Sequence, residues 1–335
     1  MLKKLLTLVL GAVFMFSLAA CGGPKTKEDV VGALNDKVEE MKSYKVEAKL
    51  TINNGVEPQV YDVDIWHNKP SFYKVDLKNE KKNQHQMILR NNEGVFVLTP
   101  ALNKSFRFQS DWPLNSSQAY LFESLVRDVV KDKDAKFKES KNKFVFTTKT
   151  NYQNSQMLPT QEIAFEKSSL APLYVKIKDG SGTVLVQVDF SKVKFNTKFD
   201  KDSFDMKKNM SLANSEVPVS TTPAVLDVVY PQTLPVKTNL VREEEFTITD
   251  GKRAILTYDG EKSLTIVQEI KEAVSTGTVE YVSGEPVDLG FAVGSITESS
   301  LTFTYGGVSY TIASGDLTSQ EMIEIAESMH GPVLK

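Results

Sequence analysis

The sequence predicts a mainly β chain with a few helices (α+β), arranged as two domains in series behind a leader. Three observations predict this. Apolar and polar residues alternate with period two from Tyr44 to Phe195, and again from Ala254 to Ile312. Helical stripes of period 3.6 are confined to short stretches near the start, the middle and the end. Between the two β-rich parts, Pro218, Pro223, Pro231 and Pro235 stand among serines and threonines in a boundary over 208–236. A length of 335 residues suits two domains. With 41% hydrophobic and 25% charged residues, the composition excludes long-range disorder and a polytopic membrane protein.

The first element is a leader. Lys3 and Lys4 form a basic start, and Leu5 to Ala20 carries no charge but is too short for a comfortable span. The run ends in Leu18-Ala19-Ala20-Cys21-Gly22, with small residues before the chain's one cysteine. This is the pattern of a bacterial lipoprotein signal, in which residues 1–20 are removed and Cys21 receives acyl chains. Two acyl chains make a stable anchor where one is marginal. The alternative is an ordinary signal peptide cut near Ala20. The lipoprotein reading places the protein, lipid-anchored, on the outer face of the cytoplasmic membrane, with 21–25 as a tether. Two lysines leave with the leader, taking the net charge from −3 to −5. Residues 21–215 then carry +6 and residues 216–335 carry −11. That asymmetry supports two domains. It also sets the basic half beside anionic headgroups, where each well-placed cation contributes about 1 kcal/mol.

Thr26, with Asp29 three residues on, caps a helix whose stripe is Val30, Leu34, Val38 and Met41. From Tyr44 the period becomes two. Tyr61, Val63 and Ile65 share one face against Asp62 and Asp64, and Tyr73, Val75 and Leu77 repeat this against Lys74 and Asp76. Further strands read at 87–90, 95–98, 106–108, 144–148, 162–165, 174–178 and 184–195, making an antiparallel meander with one apolar and one polar face. Phe122, Leu125, Val126 and Val129 interrupt it as an amphipathic helix. The domain so defined covers 26–207, with 208–223 as the linker and 224–335 as the second domain. There, Asp259-Gly260 joins 254–258 to 264–267, and Gly306-Gly307 joins 301–305 to 308–312, as two hairpins. Thr318 and Glu321 form a capping box before a last helix with Met322, Ile325, Ala326 and Met329 on its buried side.

Little of this carries chemistry. The single cysteine excludes a disulfide and a cysteine-rich zinc site, and His67, His85 and His330 are far apart in sequence. There is no glycine-rich phosphate loop, no His-Glu-x-x-His and no Gly-x-Ser-x-Gly. Ser-x-x-Lys at Ser71, Ser140 and Ser191 lies in strand-like segments without partner motifs. Asp62/Asp64 and Asp132/Asp134 read as solvated surface, since no calcium-loop glycine or terminal glutamate accompanies them. A net charge near zero does not suit a nucleic-acid binder. No catalytic residue, metal or cofactor is therefore assigned. Aromatic residues are more informative: Trp66, Phe72, Tyr73, Phe96, Phe106, Phe108 and Trp112 cluster within 47 residues. They read either as core or as the lining of an apolar cavity.

Ile65-Trp66-His67-Asn68-Lys69-Pro70-Ser71-Phe72-Tyr73-Lys74-Val75 is similar to the paired strands around Pro-x-x-Phe-Arg in the LolA/LolB lipoprotein-carrier superfamily. Asn92 to Pro100 resembles that family's next hairpin. The likeness covers roughly 26–207. Val229-Tyr230-Pro231, Tyr258 with 264–269, and 305–310 leading into the last helix resemble a DUF4367 domain over about 224–330. Together they resemble the YdcC-type family of sporulation lipoproteins of Gram-positive bacteria. The resemblance implies an incomplete antiparallel β-barrel with a helical lid over a hydrophobic cavity, followed by a smaller α+β domain. It also implies an arginine at the lid, for which Arg90 and Arg107 are the nearby candidates. The expected function is a membrane-anchored, non-enzymatic lipoprotein. It binds an acyl chain, a lipid or another apolar ligand through some of Trp66, Tyr73, Phe96, Phe106 and Trp112. The alternative is a scaffold, its sheet filled by its own side chains, that regulates an envelope or spore-cortex enzyme. The partners expected are membrane lipid through the anchor, an apolar ligand or lipoprotein acyl chain, and an envelope protein.

Overall fold

The period-two stretches pair with their neighbours in sequence, as alternation in short strands requires. The structure, a computed structural model, describes residues 25–53, 57–82, 84–113, 118–152, 158–216, 226–248, 251–270 and 278–330. The expected leader over 1–20, Cys21 and most of the expected tether lie outside the described residues. Helix α1 (Lys27–Glu40) precedes β1 (Ser43–Ile52), β2 (Gln59–Asn68), β3 (Phe72–Asn79), β4 (Gln84–Asn91), β5 (Gly94–Thr99) and β6 (Lys104–Phe108). After helix α2 (Phe122–Lys131) come β7 (Lys136–Glu139), β8 (Lys143–Lys149), β9 (Thr160–Glu166), β10 (Pro172–Lys178) and β11 (Val184–Phe195). Helix α3 (Met206–Glu216) follows. The second half holds β12 (Asn239–Ile248), β13 (Gly251–Asp259), β14 (Leu264–Ile270), β15 (Thr278–Tyr281), β16 (Glu285–Asp288), β17 (Val293–Ile296), β18 (Ser300–Tyr305), β19 (Val308–Ala313) and helix α4 (Ser319–His330).

The local signals read from the sequence form as expected. Thr26 accepts from the Asp29 amide while the Asp29 carboxylate accepts from Thr26, which completes the capping box of α1. Thr318 and Glu321 do the same for α4. Asp259-Gly260 turns β13 into β14. A Cβ on Gly260 would stand 2.0 Å from the Lys237 carbonyl oxygen, so the turn admits glycine alone.

The first sheet has twelve strands in the order β15-β6-β5-β4-β3-β2-β1-β11-β10-β9-β8-β7, and the second has seven, β12-β13-β14-β19-β18-β17-β16. The fold is mostly β, and its sheets stay open rather than closing into a barrel. Three expectations need correction. First, β4 and β5 are apolar on both faces, not one. Their second face carries Met87, Leu89, Phe96 and Leu98, which pack with Phe204, Met210 and Ala213. Second, the cover for that face is α3, so residues 208–216, expected in the proline-rich linker, are helical. Met206, Met210 and Ala213 recur at helical spacing and make the contact. Residues 217–223 of that linker lie outside the described residues.

Third, the halves do not carry separate hydrophobic sets. One continuous cluster runs from Val30 and Leu34 of α1, through the first sheet, to Ile325 and Met329 of α4. Strand β15 leaves the second half and pairs in parallel with β6, with Tyr281 opposite Arg107. Lys104 and Glu280 form an ion pair of 2.8 Å across that joint.

Candidate functional site

The expected ligand face is the apolar side of the first sheet. Tyr44, Val46, Tyr61, Val63, Ile65, Tyr73, Val75, Ile88, Val95 and Val97 cover it, all buried. Helix α2 closes part of it with Phe122, Leu125, Val126 and Val129. A buried network ties the helix down. The Glu123 carboxylate accepts from the Tyr44 hydroxyl (2.8 Å) and lies 3.0 Å from His67 Nε2. His67 Nδ1 is 3.0 Å from the Phe72 carbonyl, and the ring stacks on Tyr73 at 4.2 Å. His67 and Glu123 are spaced as an acid–base pair, and with His67 2% exposed the set clamps the helix to the sheet.

The second half meets this face around Ile52, Gln59, Gln84 and Gln86. The turn between β16 and β17 inserts Leu289, Phe291 and Ala292, each less than 5% exposed. Gly290, at φ 79°, lets the turn pass, and a Cβ there would already touch Ile52 at 3.5 Å. Buried polar side chains fix the register between the halves. Gln86 donates to the Val293 carbonyl (3.0 Å) and accepts from its amide (2.7 Å). Gln84 accepts from the Gly306 amide, and Gln59 accepts from the Tyr305 hydroxyl (2.9 Å) while donating to the His330 carbonyl. The Tyr120 hydroxyl donates to Asp288 at 3.0 Å, and burial pushes that carboxyl up from its ordinary range.

The five expected ligand-binding residues do not line one groove. Tyr73 and Trp112 meet edge to face at 5.9 Å within the main cluster, and Phe106 packs against that cluster. Phe96 points to the opposite face of the sheet, 1% exposed under α3. Trp66 is on that opposite face too. It stacks on Phe199 at 5.3 Å, with the Lys45 and Lys74 ammonium groups over its ring at 4.6 and 4.2 Å. Strand alternation explains the split: Phe96 lies one residue from the inward-facing Val95 and Val97. The two arginines expected near a lid hold other places. Arg90 donates to the Trp112 carbonyl, and Arg107 lies between the Phe96 and Tyr281 rings.

Open space is found at the seam between the halves. A cleft of about 660 Å3 is lined by Arg107, Gln109, Tyr281, Glu285, Ile296 and Glu298, among others. Tyr281 is 76% exposed, and its hydroxyl accepts from Arg107 at 3.1 Å. The lining mixes charge, amide and aromatic surface, which suits polar protein side chains more than an acyl chain. Sequence reasoning missed this site because β15 to β17 are strands of four residues each. Among the described residues, no group of three or more His, Cys, Asp and Glu is placed to hold a metal, and no helix is long and apolar enough to cross a membrane.

His330 closes the far end of the shared core. Its ring lies 4.6 Å from Tyr305 and 4.9 Å from Tyr310, with Phe291 and Phe303 beyond, and Nε2 has no partner. Burial, with a smaller effect from Lys82, lowers its pKa from 6.5 to about 4. The unfolded chain therefore takes up this proton before the folded one does. The stabilising difference is complete above pH 6.5 and is lost as pH falls toward 4. At most about 3 kcal/mol is at stake. The urea midpoint should drop between pH 7 and pH 4.5, and His330→Gln should lessen that drop.

A family model for YdcC-like sporulation proteins matches residues 2–204. The sporulation protein YdcC of Bacillus subtilis (strain 168) is 51% identical over 330 residues, covering 98% of this chain and 97% of that one. Similar solved structures include the Pseudomonas aeruginosa MucA/MucB complex (14% identity, 90% of this chain, 100% of that chain, TM-score 0.33). Another is a LolA superfamily protein from Nitrosomonas europaea (12% identity, 53% of this chain, 98% of that chain, TM-score 0.29).

Proposed function

Because the chain belongs to the YdcC-like family of sporulation proteins, we propose that it is a non-enzymatic scaffold of the sporulating cell envelope, acting through protein–protein contacts. In this reading Cys21 carries the acyl anchor, and the folded chain stands on the outer face of the cytoplasmic membrane. One observation carries the choice of scaffold over lipid carrier. The residues of the apolar face that an acyl chain would enter are already buried in one cluster with Leu289, Phe291 and Ala292 of the same chain, and Gln86 ties the neighbouring Val293 to that face by hydrogen bonds. An acyl chain entering there covers little apolar surface that is not already buried, so the roughly 25 cal/mol per Å2 that would drive it in is mostly missing.

Two measurements test this. A soluble form starting after Cys21 should bind no fluorescent fatty acid and should appear lipid-free in native mass spectrometry. A stoichiometric lipid would overturn the scaffold reading in favour of a carrier. In sporulating cells Cys21→Ala should move the protein out of the membrane fraction. Retention there would mean that the anchor is something else.

A further inference from the structure

The four strands that end the two sheets are not alike. Strands β7, β15 and β16 have four residues each. Such ends are poor templates for another strand. Lys136 and Lys138 further guard β7, and Pro286 guards β16. Strand β12 is different. It has ten residues, pairs among the described residues only with β13, and contains neither lysine nor proline. Eight of its ten side chains are exposed, among them Leu240 (40%), Val241 (60%) and Phe246 (43%). One bulge between Leu240 and Arg242 is its only irregularity. A long open edge presents unpaired backbone groups to which a further strand can add, and the charged run Arg242 to Glu245 along it selects which strand that is.

We propose that the outer edge of β12 docks an extended, lysine- or arginine-bearing segment of a partner protein, which adds to the second sheet as a further strand. The inference rests on the scaffold reading and gives it a surface. Charge selects the occupant. Glu243, Glu244 and Glu245 stand in a row with Arg242, so the strand carries −2, within a half that carries −11. Arg242 is already paired with Glu244 at 2.7 Å. A second copy presenting its own β12 would set −2 against −2, which disfavours self-pairing. A basic strand meets glutamates on both of its faces, because Glu243 and Glu245 point one way and Glu244 the other. Backbone hydrogen bonds to the free edge supply affinity, and the glutamates supply selection.

The probe is a short synthetic peptide alternating valine and lysine, and its control alternates valine and glutamate. The intact soluble protein should bind the lysine peptide, measured by fluorescence anisotropy, and hydrogen exchange should slow along 239–248. Added salt should weaken binding, since the charges are exposed. The triple variant E243K/E244K/E245K loses the exposed Arg242–Glu244 pair and the Tyr230–Glu243 hydrogen bond, so it should melt slightly below the wild type but stay folded, yet bind the lysine peptide about tenfold or more weakly, as loss of the exposed ion pairs implies. Absence of binding, protection at another surface, or equal binding of the glutamate peptide would overturn the proposal. Sedimentation should show a monomer, and self-association that disappears in the triple variant would assign the edge to a second copy instead. The fatty-acid assay is separate from all of these. A failure of the edge therefore stays distinguishable from a failure of the scaffold reading.

Discussion

A chain ended at Glu216 should not reach a folded state, even though it retains eleven of the twelve strands of the first sheet. The reason is the cover. Removing the second half strips the cluster of Leu289, Phe291, Ala292 and Val293, and of its α4 residues. It also leaves Gln59, Gln84, Gln86 and Tyr120 with partners missing in apolar surroundings. A buried polar group without its partner costs about 1–3 kcal/mol. Four such groups together rival the 5–15 kcal/mol that typically holds a domain folded. The apolar surface newly exposed to water adds to the loss. The intact protein should unfold in a single step. Protease cutting within 217–225 should leave two fragments that stay associated. Circular dichroism and proton NMR of 25–216 should show strands without a fixed tertiary structure. A sharp, independent melt of that fragment would mean that the shared core contributes little.

The sequence made the local structure legible and the long-range contacts much less so. Capping boxes at Thr26 and Thr318 are set by residues three apart, and the Gly260 and Gly306-Gly307 turns by backbone angles that few residues adopt. These depend on neighbours in sequence, so composition reveals them. Strand β12 was hidden because three consecutive glutamates erase the two-residue alternation, and exposure on both faces leaves no alternation to keep. The turn at 288–293 does carry a signal. Leu289, Phe291, Ala292 and Val293 are too apolar for a solvent loop, and that pattern predicts burial. Nothing in the pattern says against what. The expected groove meets the same difficulty: two helical stripes are too few to cover the sheet, and buried residues of the second half join the same cluster.

Phe96 sets the last expectation. It stands among the aromatic residues expected either in a groove or in the core: in a groove its conversion to aspartate costs ligand binding, and in a core it unfolds the domain. Its true position makes it a stability residue. The ring packs with Met87, Leu89, Leu98, Phe204, Met210 and Ala213, closing α3 onto the sheet. The runs Met87-Ile88-Leu89 and Val95-Phe96-Val97-Leu98 announced this, because a strand apolar at consecutive positions is buried on both faces. Phe96→Ala should destabilise by roughly 3–5 kcal/mol, the lost transfer of the ring plus a cavity that α3 refills only in part. Phe96→Asp removes the same ring and buries a carboxylate as well. The Arg107 guanidinium, on the strand partner of Phe96 and 5.7 Å from its ring, relieves part of that charge cost. The aspartate variant should therefore fall at or above the alanine value, with faster hydrogen exchange across 204–216 as the helix loosens. Urea unfolding of both variants beside the fatty-acid assay decides the matter. Wild-type stability in the alanine variant would place the ring outside the core, and lipid binding by the wild type that is lost in a stable Phe96→Asp protein would restore the groove.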